Sequence, residues 1–269
     1  MVTFPPCKIN LGLHVIEKRP DGFHNLETCF YPVQWTDILE IVKADRFAFS
    51  STGNPIPGAS DQNLCIKAYH LLARNYNLSP VLIHLHKILP IGAGLGGGSA
   101  DAAYTIRLLN EIFALNLSSQ EMMLYAAQLG SDCAFFIQNS PMLGKGRGEV
   151  LSDIAVDLRG KFLVLVNPNI HVSTAEAYAG VRPAHPGYNI PDILTRPITE
   201  WRDLLKNDFE VSVFEKYPSI MALKDRLYAL GALYASMSGS GATVFGIFDS
   251  LIDVTKHFVD STAWAGYIS

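Results

Sequence analysis

The sequence predicts an α+β protein of two domains, over residues 1–155 and 156–269, and three features lead to it. Runs 9–17 and 26–43, rich in Ile, Leu, Val, Phe and Tyr, alternate and break like strands. A glycine-rich run lies between a strand at 81–87 and a helix reaching about Ala114. From Lys161 onward the order is strand, helices, strand, strand, helix, strand, the split βαβ order of a ferredoxin-like layer. A chain of 269 residues is long enough to build two cores.

In chain order, Pro20-Asp21-Gly22 is turn chemistry between the first strands. Phe47-Ala48-Phe49 is a short strand, and 51–60 is loop. A helix from about Asp61 places Leu64, Ala68, Leu71 and Leu72 at helical spacing. Ser118-Ser119-Gln120-Glu121 is a capping box for a helix that Gly130 should stop. Asp132 then stands where the next helix is capped. Gly144 to Gly148 reads as a hairpin or rim. A buried strand covers 161–166, and Ser173-x-x-Glu176 is a second capping box for a helix through Tyr178. Proline-rich 181–198 is loop. Helices follow at 199–205, 208–216 and 219–230, strands at 232–237 and 243–248, a helix from Ser250 and a strand at 263–268.

Composition removes several function classes. The net charge of -4 argues against nucleic acid as a partner. No apolar run approaches the length of a membrane span. The N-terminus lacks the charged start and apolar stretch of a signal peptide. Cys7, Cys29, Cys65 and Cys133 are widely spaced, so reduced buried thiols and a cytoplasmic protein are expected. His84 and His86 share one strand face, but no third ligand accompanies them and no protein metal site is expected.

The chemistry centres on Pro90-Ile91-Gly92-Ala93-Gly94-Leu95-Gly96-Gly97-Gly98-Ser99-Ala100, where five glycines fall in the seven positions 92–98. Glycine admits positive φ and close backbone approach, and the unpaired N–H groups of a helix start favour an anion. Phosphate is the fitting guest. No lysine follows as a Walker loop requires. Gly92-x-Gly94-x-x-Gly97 matches the dinucleotide fingerprint, but the second strand and its terminal acid are missing.

The loop resembles motif 2 of the GHMP kinases, near Pro-x-x-x-Gly-Leu-Gly-Ser-Ser-Ala, with Gly98 in place of the first serine. Met237-Ser238-Gly239-Ser240-Gly241-Ala242 is by itself more readily a tight hairpin turn, and it resembles motif 3 of the same family. Pro6-Cys7-Lys8-Ile9-Asn10-Leu11 resembles motif 1, and Asp21-Gly22-Phe23-His24 resembles the diphosphocytidyl branch of that family. Gly130-Ser131-Asp132 matches the family's Gly-[Ala/Ser]-Asp run, although Ala134 replaces its usual proline.

The resemblance implies a ribosomal-protein-S5-like N-terminal nucleotide domain, a ferredoxin-like C-terminal domain, and a kinase using ATP with Mg²⁺. It implies that residues 90–100, with Asn63 and Lys87, hold ATP. Asp132 would be the catalytic base, with Lys8 beside it keeping the carboxylate ionised. The acceptor it implies is a small molecule, cytidine diphosphate-linked methylerythritol, phosphorylated on its 2-hydroxyl. Asn10, Phe23, His24, Ser173, Thr174, Tyr178, Ser238, Gly239, Ser240 and Gly241 would bind it. Phe23 and Tyr178 come from opposite halves of the chain, so gripping cytosine between them calls for a cleft between two domains. The expected assembly is a monomer or weak homodimer. Other readings are a GHMP kinase for homoserine or mevalonate, or a non-catalytic nucleotide-binding protein of this fold.

Overall fold

Alternation along the strand Val81–Lys87 organises the first of two units: Val81, Ile83, Leu85 and Lys87 are buried, whereas Leu82 is exposed. A lysine thus occupies the core-facing phase of an apolar strand. The computed structural model describes residues 1–268. The first unit comprises residues 1–7, 32–91 and 96–140, and the second comprises residues 8–31, 92–95 and 141–269. The division crosses the glycine loop twice, between Ile91 and Gly92 and between Leu95 and Gly96.

In the first unit the sheet order is Val2–Thr3, Ile38–Lys43, Val81–Lys87, Ala48–Gly53, with only the last pair parallel. Helices Leu64–Tyr76, Gly97–Ile112, Ser119–Ala127 and Cys133–Gln138 complete the unit. Leu72, Ala102, Ile106 and Leu109 are buried helix positions, and Leu39, Ile41 and Ile83 are buried in the strands. Burying such side chains stabilises by about 1.5–3 kcal/mol each. The strand expected around Ala48 runs on to Gly53, because pairing with Val81–Lys87 recruits residues whose composition reads as loop. The helix expected from Asp61 opens as the 3-10 turn Ser60–Gln62, and its α-helical part starts only at Leu64, where Asn63 caps it. The Ser118–Glu121 capping box forms in full, but its helix ends at Ala127, ahead of Gly130.

The second unit holds the sheet Tyr234–Met237, Val244–Phe248, Phe162–Asn167, Thr262–Tyr267, antiparallel throughout, in the ferredoxin-like order. It also holds residues 8–18 and 24–31 of the long strands Pro6–Lys18 and His24–Thr36, together with the hairpin Met142–Lys145 and Val150–Asp153. Phe162, Val164, Val166, Val172, Phe209, Val213, Ile220 and Val244 belong to one core. Three expectations are corrected here. The proline-rich stretch contains the helix Ile190–Leu194, because Asn189 caps it and Pro191 sits in its first turn, where a missing N–H costs nothing. The helix expected from Ser250 forms only over Val254–His257, capped by Asp253. Ser173 caps Thr174–Ala179, but Glu176 does not reach back; its carboxylate bonds Tyr217 and Lys216 instead.

Among the described residues no helix is long and apolar enough to cross a membrane. All four cysteines are buried free thiols, and burial pushes Cys29 and Cys133 up to about 12.

Candidate active site

The second unit gathers three segments far apart in sequence onto one carbonyl. Lys8 and Asn10 lie on the same side of their strand by alternation, and the Lys8 ammonium donates to Asn10 Oδ1 at 2.6 Å and to Gly94 O at 2.9 Å. The Ser238 hydroxyl donates to the same Gly94 oxygen at 2.9 Å. Lys8 is 3 % exposed and also lies over the Phe30 ring at 5.5 Å. Asn10 donates to the Thr28 hydroxyl, which donates onward to Gly12 O, so the amide is oriented with its oxygen toward the ammonium. Backbone bonds from Lys8 N to Leu95 O and from Thr243 N to Ala93 O tie the same segments together.

Gly94 is required for this approach. Its φ is +76°, and an added Cβ would lie 1.9 Å from Ser238 O. Gly92 packs on His171 in the same way, where a Cβ would meet the imidazole at 3.0 Å. Gly239, at φ +54°, leaves room for Lys8 Nζ and Asn10 Oδ1.

Behind the second glycine loop stands a set of residues that sequence reasoning missed. Asn207, 2 % exposed, donates to Met237 O at 2.7 Å and to Gly239 O at 2.8 Å, while its oxygen accepts from Phe209 N. Glu210 accepts from Met237 N and the Ser236 hydroxyl, and Asp208 accepts from Val15 N. The readable signal was a cluster of polar residues, Asn207, Asp208 and Glu210, around the apolar Phe209 at a helix start.

His24 and Tyr178 also fall in this unit, with ring centroids 4.8 Å apart at 21°. Phe209 meets Tyr178 edge-on at 4.8 Å and 81°. Partial burial and the Lys18 charge lower the His24 pKa, favouring the neutral ring. Phe23 is 53 % exposed and carries the Arg147 guanidinium 4.9 Å above its ring. Phe23, His24 and Tyr178 all belong to this one unit, and it is His24 that stacks on Tyr178. Thr174 and Ser240 approach through their hydroxyls at 3.5 Å, and Ser173 is occupied as a helix cap.

In the first unit, Gly96 takes up αL at φ +69° and opens the helix Gly97–Ile112, whose first turn presents unpaired N–H groups at Gly97, Gly98 and Ser99. Ser99 bonds the Cys133 thiol. Asp132 stands at the N-cap position of Cys133–Gln138, half-buried, yet its carboxylate makes no capping bond; the Ser131 hydroxyl donates to it at 3.3 Å. The plain capping role is therefore not what holds an aspartate there. Asn63 Oδ1 caps Leu64–Tyr76 by accepting from Cys65 N at 2.8 Å. Lys87 is 4 % exposed and spends its ammonium on Asp37 at 2.5 Å and Asp101 at 2.7 Å. Burial opposes its charge, but the two carboxylates outweigh burial and hold it above the ordinary lysine range.

Comparison with known proteins follows the same lines. The GHMP kinases N terminal domain model matches residues 63–140, and the GHMP kinases C terminal model matches residues 189–256. A 4-diphosphocytidyl-2-C-methyl-D-erythritol kinase of Cytophaga hutchinsonii is 57% identical over 251 residues, covering 93% of both chains. The chain belongs to the GHMP kinase family. The kinase of the same name from Bacteroides thetaiotaomicron is 51% identical over 93% of this chain and 92% of its own. A crystal structure of a 4-(cytidine 5'-diphospho)-2C-methyl-D-erythritol kinase superposes with a TM-score of 0.83 at 29% identity, covering 99% of this chain and 98% of that one. As a GHMP kinase the protein is an ATP-using enzyme.

The residues fit ATP: the loop is shaped by glycines that a side chain would fill, and it ends in a helix start rich in unpaired N–H donors. Among the described residues no cluster of three or more His, Cys, Asp or Glu forms a metal cage.

Proposed function

We propose that this protein transfers the γ-phosphoryl group of ATP to the 2-hydroxyl of 4-diphosphocytidyl-2-C-methyl-D-erythritol. The observation that carries the reading is the meeting of Lys8, Asn10 and Ser238 at Gly94. A buried ammonium is expensive unless a nearby negative charge or an aligned set of acceptors rewards it. The names borne by relatives 57% and 51% identical support the choice of acceptor.

Phosphoryl transfer needs the phosphates held, the acceptor hydroxyl in line and the developing charge met. Residues 90–100 hold the phosphates through backbone N–H groups. Asp132 accepts the proton of the 2-hydroxyl, and Lys8 offsets negative charge at the reacting centre. When bound with ATP, Mg²⁺ neutralises phosphate charge. Tyr178 and His24 supply aromatic surface for cytosine, with Asn10, Ser173, Thr174, Phe23 and residues 238–241 around the remainder of the acceptor. Asn63 and the backbone at Lys87 belong to the nucleotide side. The protein acts in the cytoplasm on free small molecules, in the route to isoprenoid precursors.

The test is ATP consumption by the purified protein with the cytidine-linked acceptor, homoserine or mevalonate in parallel. Turnover confined to the first supports the proposal. Turnover with homoserine or mevalonate in its place, or with none of the three, rejects it.

A further inference from the structure

Lys87, Asp37 and Asp101 form a buried group at the base of the glycine loop, and the bonds they make are directed at its two ends. Asp37 uses one oxygen to accept from Ile88 N at 2.6 Å and Leu89 N at 2.8 Å, which pins the backbone entering Pro90. Its other oxygen accepts from Lys87. Lys87 reaches forward fourteen positions to Asp101, on the second turn of the helix leaving the loop. The pair therefore closes the stretch 88–100 like a clip, removing entropy that a glycine-rich segment would otherwise retain. Asn54 N–H bonds Lys87 O, and the Asn54 side chain bonds Ile88 O, fixing the same entry strand from its other edge.

The coupling to the loop is steric as well. A Cβ on Gly97 would lie 3.0 Å from Lys87 Nζ and 3.1 Å from Leu89 Cδ1. The first residue of the helix thus sits directly on the ammonium, and any shift of Lys87 displaces the N–H groups that face a phosphate. The ammonium itself already has two carboxylate partners and is 4 % exposed.

We propose that Asp37, Lys87 and Asp101 are positioning residues for ATP: the buried triad sets the geometry of both ends of the phosphate loop, and the Lys87 ammonium acts through that backbone and not on a phosphate. This rests on the proposed role of residues 90–100 as the ATP site.

The experiment compares Asp37→Asn, Lys87→Met and the double variant with wild type. It uses calorimetric binding of Mg·ATP, KM for each substrate, and thermal melts. The triad role requires Asp37→Asn to weaken ATP by about tenfold to a hundredfold, as small misplacements can. KM for the cytidine-linked acceptor stays within about twofold, since only the phosphate loop is disturbed. The double variant should be no worse than the worse single, because both act through one unit. If Lys87→Met weakens ATP while Asp37→Asn binds it equally well or more tightly, the ammonium touches phosphate directly and the proposal is overturned. Should Asp37→Asn not fold at the assay temperature, Asp101→Asn replaces it: a raised KM for ATP alone supports the triad, and an unchanged one rejects it. A wild type that neither binds nor consumes ATP rejects the underlying site. An active wild type whose variants bind ATP normally rejects the triad alone.

Discussion

The rings of His24 and Tyr178 lie face to face, 4.8 Å between centroids, and Phe209 braces Tyr178 from its edge. That spacing leaves no room for a third ring between them. A cytosine would stack on the outer face of the pair or displace His24. Stacking a base on an aromatic ring contributes about 1–3 kcal/mol. Tyr178→Ala should therefore raise KM for the cytidine-linked acceptor about tenfold and leave KM for ATP unchanged, as steady-state kinetics on each substrate will show. A variant weakened toward ATP alone, or toward neither substrate, returns Tyr178 to the core.

Asp132→Asn keeps the size and shape of the side chain and removes only its charge, so the variant should melt close to wild type and still bind ATP. Losing a general base should lower kcat by about a hundredfold to ten-thousandfold. Near-normal kcat would sink the base assignment, and a parallel loss of stability and activity would point to a structural carboxylate.

Two glycines of the same loop should respond oppositely. Gly94→Ala places a Cβ 1.9 Å from Ser238 O at a φ of +76° and should destabilise by at least about 1–3 kcal/mol. An added Cβ at Gly98, inside the helix Gly97–Ile112, meets nothing within 4 Å, so Gly98→Ala should stabilise by about 0.5–1 kcal/mol. Urea melts of both decide it; equal effects would contradict the loop geometry. Gly96→Val, which adds a branched side chain at an αL position, should lose ATP binding.

The triad also makes stability depend on pH. Burial pushes Asp101 up to about 7, against the pull of Lys87 and with the Asp37 charge adding to the rise. The native state then holds a proton that the unfolded state releases near pH 4. This contribution is full below the unfolded value and is lost as pH rises toward about 7. Wild type should lose stability between about pH 4 and pH 7, measured by denaturant melts, and Asp101→Asn should flatten that slope. An identical slope in the variant would remove Asp101 as its source.

The sequence by itself marked the segments that form the candidate site. Glycine clusters, a lysine opening an apolar strand and an aspartate at a helix start are local signals, because positive φ, helix capping and strand alternation act over a few residues. Partners were not legible. Nothing local states that Lys87 is spent on Asp37 and Asp101, that Asn207 clamps Met237 and Gly239, or that Tyr178 stacks on His24 and leaves Phe23 to Arg147. Periodicity tells a side chain which face to occupy, while the identity of its neighbour depends on how distant strands and helices register once the apolar faces close. That registry is settled by packing and by the need to pair each buried polar group, and only the folded chain supplies it.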